Sequence, residues 1–317
     1  MSRQNRCNRR GLSLSLAFLL IAGTSWAQSG NKGGRSGAQF LEIGVGARAA
    51  GMGGSFTAVA NDASSSFYNP AGLVGLSGVQ FLFSTIQWPA DISYDFAAAG
   101  LPVHFLNGTV GVHIGRLSTG EMKVRTPLRP EGTGQSFEAA DFVSGLSYAR
   151  SLTDKFTFGA TVKYVRLEAF TYTADGIAVD VGSTYQTGFK SLRFAWMISN
   201  YGPDLKFINE TFSLPTAITF GVAAEALQNQ ERTLTLTLQV NRPSDNEERA
   251  SLGMEYWLKN LLALRAGYQV NYDAESLSFG VGINAPIAAL GRVKVDYAYA
   301  DLDDLTQAHR FSLGIQF

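Results

Sequence analysis

From Val79 onward the chain is divided into segments of roughly 10 to 14 residues in which apolar side chains alternate with small or polar ones. In Glu231 to Asn241, Leu234, Leu236, Leu238 and Val240 share one face while Thr233, Thr235, Thr237 and Gln239 share the other. Lys155 to Val165 sets Phe156, Phe158, Ala160, Val162 and Tyr164 against Thr157, Gly159, Thr161 and Lys163. Leu261 to Tyr272 sets Leu262, Leu264, Ala266, Tyr268 and Val270 against Arg265, Gly267, Gln269 and Asn271. A two-residue period over such lengths demands strands with two chemically different faces. Soluble sandwiches also alternate, but their strands are usually ~5 to 6 residues long. Strands of twice that length match a tilted crossing of a bilayer.

Other features converge on a membrane destination. Charged residues make up 16% of the chain, against ~25% in typical soluble domains. At the N-terminus, Arg3, Arg6, Arg9 and Arg10 precede the apolar stretch Leu12 to Ala22, which ends in Thr24-Ser25-Trp26-Ala27. This is a secretory signal layout, too short to span a bilayer as a helix, with cleavage expected after Ala27 and a flexible mature start over residues 28–36. The single Cys7 lies in the leader, so the mature chain is thiol-free. Loss of four arginines from the 26 basic residues leaves 22 against 26 acidic ones, and no nucleic-acid partner is implied. Since no mature segment approaches ~18 uninterrupted apolar residues, any crossing must be made by strands.

The alternating segments number about fourteen, an even count that suits a bacterial outer-membrane barrel with both termini in the periplasm. If the first strand starts near Val79, the long connections Ser118 to Gln135 and Tyr201 to Pro215 follow odd strands and lie outside. Ser151 to Asp154, Thr187-Gly188, Gln228 to Gln230 and Lys259-Asn260 then form short periplasmic turns. The last segment places Phe311, Leu313, Ile315 and the terminal Phe317 on one face, which resembles the closing-strand signal read by barrel-assembly machinery. The expected fold is an all-β, about fourteen-stranded antiparallel transmembrane barrel over residues 78–317, with outer-membrane lipid as its surroundings.

Residues 37–77 differ in kind: they are rich in Gly, Ala and Ser and lack the two-residue period. They are expected to form a small hatch inside the barrel. Gly51, Gly53 and Gly54 would let backbone pass close to the wall or take positive φ, a short helix is expected from Thr57, and Asn69-Pro70 reads as a turn leading into the first strand. Arg48 and Asp62 are the charges expected to pair with lumen residues, since an unpaired charge there would be costly. Gly44-Val45-Gly46-Ala47-Arg48-Ala49 matches the dinucleotide fingerprint, but the strand before it and the βαβ unit after it are missing. No cofactor is expected.

The run Gly46-Ala47-Arg48-Ala49-Ala50-Gly51-Met52-Gly53-Gly54-Ser55-Phe56-Thr57-Ala58-Val59-Ala60-Asn61-Asp62-Ala63, with Phe67-Tyr68-Asn69-Pro70-Ala71-Gly72-Leu73, resembles the hatch of the PorV/PorQ family, a branch of the FadL-like outer-membrane barrels. The segment Asn200-Tyr201-Gly202-Pro203 to Leu214-Pro215 adds to the resemblance. It implies a fourteen-stranded barrel, a plug folded into the lumen, and either an accessory role in type IX protein secretion or passage of hydrophobic solutes. The partners implied are secreted proteins or secretion-system components in the first case and a hydrophobic small molecule in the second.

Placing the apolar faces outward turns Lys163, Asp180, Arg193, Glu225, Glu255, Arg265, Lys294 and Asp296 into the lumen. An outward Arg or Lys at the bilayer midplane would cost about 2 to 4 kcal/mol. Both signs are present, which reads first as a mesh of ion pairs bracing wall and plug and second as a polar filter. His113 is the sole inward histidine, expected as a hydrogen-bonded wall residue. No Cys/His/Asp cluster has metal spacing, and no nucleophile–base set suggests an enzyme. Gly111 and Gly115 flank His113 and mark the third strand as the place for a kink or for closest approach of the hatch. A kink would provide the sideways exit that a FadL-like carrier needs. Leu205, Phe207, Ile208, Phe212 and Leu214 are candidates for an apolar groove near the outer rim.

Overall fold

The computed structural model describes residues 36–88, 92–272, 276–288, 291–301 and 307–317. The leader over residues 1–27, Cys7 and the start of the mature chain lie outside them. Among the described residues, fourteen strands form one closed antiparallel ring. In chain order they are β1 (Gln80–Gln87), β2 (Ser93–Val103), β3 (Gly108–Ser118), β6 (Ala139–Ser151), β7 (Phe156–Ala169), β8 (Tyr172–Gln186), β9 (Arg193–Tyr201), β12 (Ala217–Gln228), β13 (Arg232–Pro243), β14 (Arg249–Leu258), β15 (Leu262–Val270), β16 (Leu277–Ile287), β17 (Gly291–Asp301) and β18 (Gln307–Gln316). The remaining strands are two small hairpins, β4 (Met122–Lys123) with β5 (Ser136–Phe137) and β10 (Leu205–Phe207) with β11 (Glu210–Phe212). Each hairpin lies in one of the two long connections, and these connections share one rim. No described helix is long and apolar enough to cross a membrane.

The period-2 pattern sorts as a barrel requires. On β13, Leu236, Leu238 and Val240 are exposed on the outer wall while Thr235, Thr237 and Gln239 are buried toward the lumen. Phe83, Ile114, Leu146, Val162, Phe220, Leu252, Leu264, Phe279 and Val295 extend the outer apolar belt around the ring. In lipid such side chains are at home, whereas an open sheet edge would strand backbone N–H and C=O groups. The edges are therefore joined: β1 and β18 pair from Gln80↔Gln316 to Gln87↔His309.

Inside the ring, residues 36–76 form a plug of short pieces: α1 (Ala47–Ala50), α2 (Ser65–Tyr68) and 3-10 turns at Gln39–Glu42 and Pro70–Gly75. Its hydrogen bonds reach strands around the circumference. Ala47 N donates to Ser312 Oγ on β18 (2.6 Å), Phe56 and Thr57 N to Gln239 Oε1 on β13 (3.1 Å each), Ala63 N to Gln80 Oε1 on β1 (2.8 Å) and Asn69 Nδ2 to Ser183 O on β8 (3.3 Å). The plug crosses the lumen from one end to the other. Ser36 bridges Ser213 in the long β9–β12 connection, whereas Ser77 meets Gln316 beside the closing seam at the opposite rim.

Two local expectations are corrected. The Ala-rich stretch at Thr57 makes a single turn rather than a helix, with Val59 N and Ala60 N both donating to Phe56 O. Its carbonyls are needed elsewhere: Thr57 O accepts from Asn69 Nδ2 and Ala58 O from Arg193 Nε. The third strand carries no kink. β3 pairs without a register shift with β2 from Val103↔Gly108 to Ser93↔Ser118, and with β6 from Thr109↔Ala149 to Ser118↔Ala140. Its glycines make room instead. A Cβ at Gly111 would lie 2.7 Å from Leu73 Cδ1 of the plug, and one at Gly115 would lie 2.5 Å from the buried Tyr94 hydroxyl.

The closing seam ends on Phe317, whose N–H donates to Val79 O (2.9 Å) and whose ring meets Phe81 edge-on at 6.3 Å. Phe311, Leu313 and Ile315 lie on the same outward face. Deleting Phe317 is expected to lower the yield of heat-modifiable, folded barrel severalfold, whereas deleting Leu128 from the β3–β6 connection leaves it unchanged. Equal yields would show that the terminus is dispensable for closure.

Candidate lumen site: the plug, its ion cluster and the chamber above it

The plug lies against the wall where side chains are absent. Gly51 packs on Gly280, where a Cβ would come 2.9 Å from the facing Cα, and Gly53 and Gly54 take φ of +63° and +70° to pass Gly267 and Gln269. Only glycine adopts that backbone without strain. This close approach carries Arg48, one turn earlier on α1, to the inward face of β14. There its Nε and Nη2 each donate to Glu255 (2.8 Å), a two-pronged contact, while Nη1 donates to Asn61 Oδ1 (2.6 Å) and Asp62 Oδ2 (3.0 Å).

Glu255 is shared. Its Oε1 also accepts from Arg265 Nε on β15 (2.8 Å), and Arg265 Nη1 continues to Asp296 Oδ1 on β17 (2.7 Å). To reach Asp296 the guanidinium lies flat across β16, where a Cβ at Gly282 would come 2.7 Å from Nη1. Lys294, on the same inward face as Asp296, acts electrostatically on Asp62, Asp296 and Glu255. The cluster therefore holds Arg48, Arg265 and Lys294 against Asp62, Glu255 and Asp296, with no net charge. Neutrality and direct hydrogen bonds are what let charges reside in such an enclosure. Burial pushes the Asp62 carboxyl up, but Arg48, the Ser64 hydroxyl and Lys294 outweigh it and hold it below the usual carboxylate range. Burial likewise works against the charged Arg48, yet Glu255 and Asp62 raise its pKa further.

Two more pairs brace the far side. Lys163 Nζ bonds Asp180 (2.7 Å) and Asn200, and Asp180 accepts from Asn200 N (2.7 Å). Arg193 Nη1 bonds Glu225 (2.7 Å) while its Nε donates to Ala58 O of the plug (2.8 Å). Asn69, fully buried, caps the 3-10 turn begun by Pro70 through Ala71 N (3.1 Å), and Gly159 and Gly182 leave the space this turn fills. His113 departs from expectation. It is buried and stacked on Phe96 (5.7 Å, 28°), but neither ring nitrogen has a hydrogen-bond partner among the described residues. The bare Gly145 opposite admits the ring without offering it an acceptor.

Between two parts of the plug and the inner wall lies a chamber of about 280 Å³. Gly54, Thr57, Phe67 and Tyr68 form its floor; Trp88, Met197 and Thr219 are among its walls, and Lys163, Arg249 and Arg310 bring cationic groups to it. Leu41, Glu42 and Ile43 border its top. Glu42 faces Arg249 at 3.5 Å, and burial raises the Glu42 pKa despite that arginine. The rim groove expected from the β9–β12 connection is not formed: Leu205 and Leu214 are buried, packed with Phe40 and Leu41, and Phe212 covers Gly37. These side chains turn inward because β9 stops at Tyr201. A bulge between Val179 and Val181, with Asn200 at φ +58°, releases the chain from the wall there, and Asn200 Nδ2 holds Pro215 O (3.1 Å) as it returns.

The latch predicts a clear ranking. Glu255→Gln leaves two buried arginines facing a neutral group, and breaking a buried pair at one partner costs about 3 to 5 kcal/mol, so limited proteolysis within residues 47–69 of the folded barrel should accelerate strongly. Glu42→Gln, which alters a plug carboxylate outside this cluster, should leave it unchanged. Because the Asp62 carboxyl is held below 3.8, its stabilisation is present above that pH and is lost as pH falls through its lower folded value; acid release of the plug therefore begins only below the ordinary carboxylate range. Identical proteolysis of both variants would remove the latch.

No protein-family model matches this sequence, and no curated protein matches it. Solved structures do resemble the fold. The toluene transporter TodX of Pseudomonas putida has a TM-score of 0.59 at 15% identity, covering 86% of this chain and 96% of that one. A deltaS2 mutant of the TodX monoaromatic hydrocarbon channel gives 0.52 at 15%, covering 85% and 96%. A Pseudomonas aeruginosa FadL homologue gives 0.53 at 9%, covering 87% and 98%. These similarities show a shared fold, a closed antiparallel β-barrel; the resemblance to PorV/PorQ in particular has no counterpart in these comparisons.

Proposed function

We propose that this barrel is a conduit for a small, largely apolar solute that is received in the chamber between plug and wall and passes when the plug shifts. The observation that carries this reading is the chamber itself. It lies between plug residues 41–44 and the plug floor, and it combines apolar side chains such as Phe67, Trp88 and Met197 with a comparable share of polar and cationic groups, Gln239, Lys163 and Arg249 among them, a lining that suits a small ligand with an apolar body and a polar end. The fold shared with a toluene transporter and a FadL homologue supports it. Because β3 is continuous, the route in this reading runs past the plug rather than out through a kink in that strand.

A second reading, an accessory role at the outer membrane in type IX-like secretion with secreted proteins or secretion components as partners, draws on the same strand. Leu73 is seated against Gly111 on a β3 that keeps its register, which suits a barrel that acts through its rim and loops. Uptake separates the two. Cells carrying the protein are expected to accumulate a labelled monoaromatic hydrocarbon faster than cells lacking it. Thr219→Trp, which fills the chamber from β12, is expected to cut that gain at least tenfold while the barrel still folds. Equal uptake with and without the protein would overturn the conduit reading and leave the accessory role.

A further inference from the structure

The outer wall carries a feature that the lumen does not explain. On the outward face of β2, Asp95, Ala97, Ala99 and Leu101 follow one another at two-residue spacing. The two alanines lie between large neighbours: Phe83 and Ile114 flank Ala97, and Phe81 and Val112 flank Ala99. Small side chains between tall ones leave a trough, and its upper part is a groove of about 500 Å³, almost wholly apolar, walled by Phe83, Phe311 and Leu313 on one side and Ile114 and Phe142 on the other. From Asp95 to Leu101 the strand rises roughly 20 Å at about 3.3 Å per residue. Tilted by about 40°, this spans about 15 Å, half of a hydrocarbon core of about 30 Å. The trough is one leaflet deep.

Its upper end is charged. Asp95 and Arg116 stand opposite each other on β2 and β3, both pointing out of the barrel, two residues from the rim ends of their strands. No ion pair joins them, and neither has another charged partner among the described residues. Arg166 on the same outer wall is instead satisfied by Glu168 at 2.6 Å. An outward cation and anion held apart above an apolar slot fit a ligand with both charges in its head and a chain beneath it.

We propose that this trough binds one zwitterionic acyl lipid, a phosphate on Arg116, an ammonium near Asp95, and an acyl chain along Ala97 and Ala99. Charge complementarity selects such a lipid over one carrying an anion alone, which Asp95 would repel. The inference rests on the chain spanning a bilayer, and resistance of the reconstituted protein to alkaline extraction checks that separately.

The test is native mass spectrometry of the barrel released from nanodiscs containing equal phosphatidylethanolamine and phosphatidylglycerol. The intact protein is expected to retain one phosphatidylethanolamine. Ala97→Phe, which fills the trough from the lipid side, and Arg116→Gln are each expected to lower that retention at least tenfold, with heat-modifiable mobility unchanged. Equal retention in the variants, preference for phosphatidylglycerol, or a dimer that Ala97→Phe dissociates would each overturn the proposal, the last by making the trough a contact between copies of this chain.

Discussion

In lipid, a backbone N–H or C=O has no water to turn to, so a strand-built crossing must close on itself. Closure is the constraint from which the rest follows. Once β1 is joined to β18, every strand has an inside, and every polar side chain kept off the lipid is delivered to one enclosed space. That space then has to solve its own electrostatics. Glu255 on β14, Arg265 on β15 and Lys294 with Asp296 on β17 balance among themselves; Arg48 arrives together with Asp62, so the plug adds its hydrogen bonds to Glu255 and leaves the set neutral. The plug thus completes the wall chemically as well as filling it.

Steric keying works with the charges. Arg48 reaches Glu255 because Gly51 to Gly53, just past α1, lie against Gly280 and Gly267, and Arg265 reaches Asp296 because Gly282 leaves β16 bare. Glycines that weaken a strand in isolation are here the contact surface for another piece of the same chain. On the far side the Arg193 fork is joined by side-chain amides, Asn69 Nδ2 to Thr57 O and Ser183 O and Asn200 Nδ2 to Pro215 O.

The wall was legible in the sequence because a period of two leaves no freedom once one face meets lipid: Lys163, Asp180, Glu255 and Arg265 are inward for the same reason that Val162 and Leu264 are outward. The plug was legible as a unit, through its missing period, but not in detail. A helix at Thr57 loses to carbonyls recruited by Asn69, twelve residues on, and by Arg193, 135 residues from Ala58 in sequence. Nor could spacing reveal that Gly111 and Gly115 yield to Leu73 and Tyr94 instead of bending β3, because glycine permits both outcomes. Leu205 and Leu214 look like rim residues until the stop at Asn200 turns their loop inward. Gln80, Gln239 and Ser312, which receive plug amides, carry no mark that separates them from other inward polar residues.

Keyed to the wall through Arg48 and its neutral cluster, the plug is expected to shut the lumen of the native barrel. Ionic conductance in planar bilayers measures this directly, since a fourteen-stranded ring without its plug would pass small ions. Native barrels are predicted to show no steady conductance, and barrels in which Arg48 is replaced by Met together with Glu255 by Gln are predicted to open to flickering ion flow. Steady open-pore conductance of the native protein would contradict the claim.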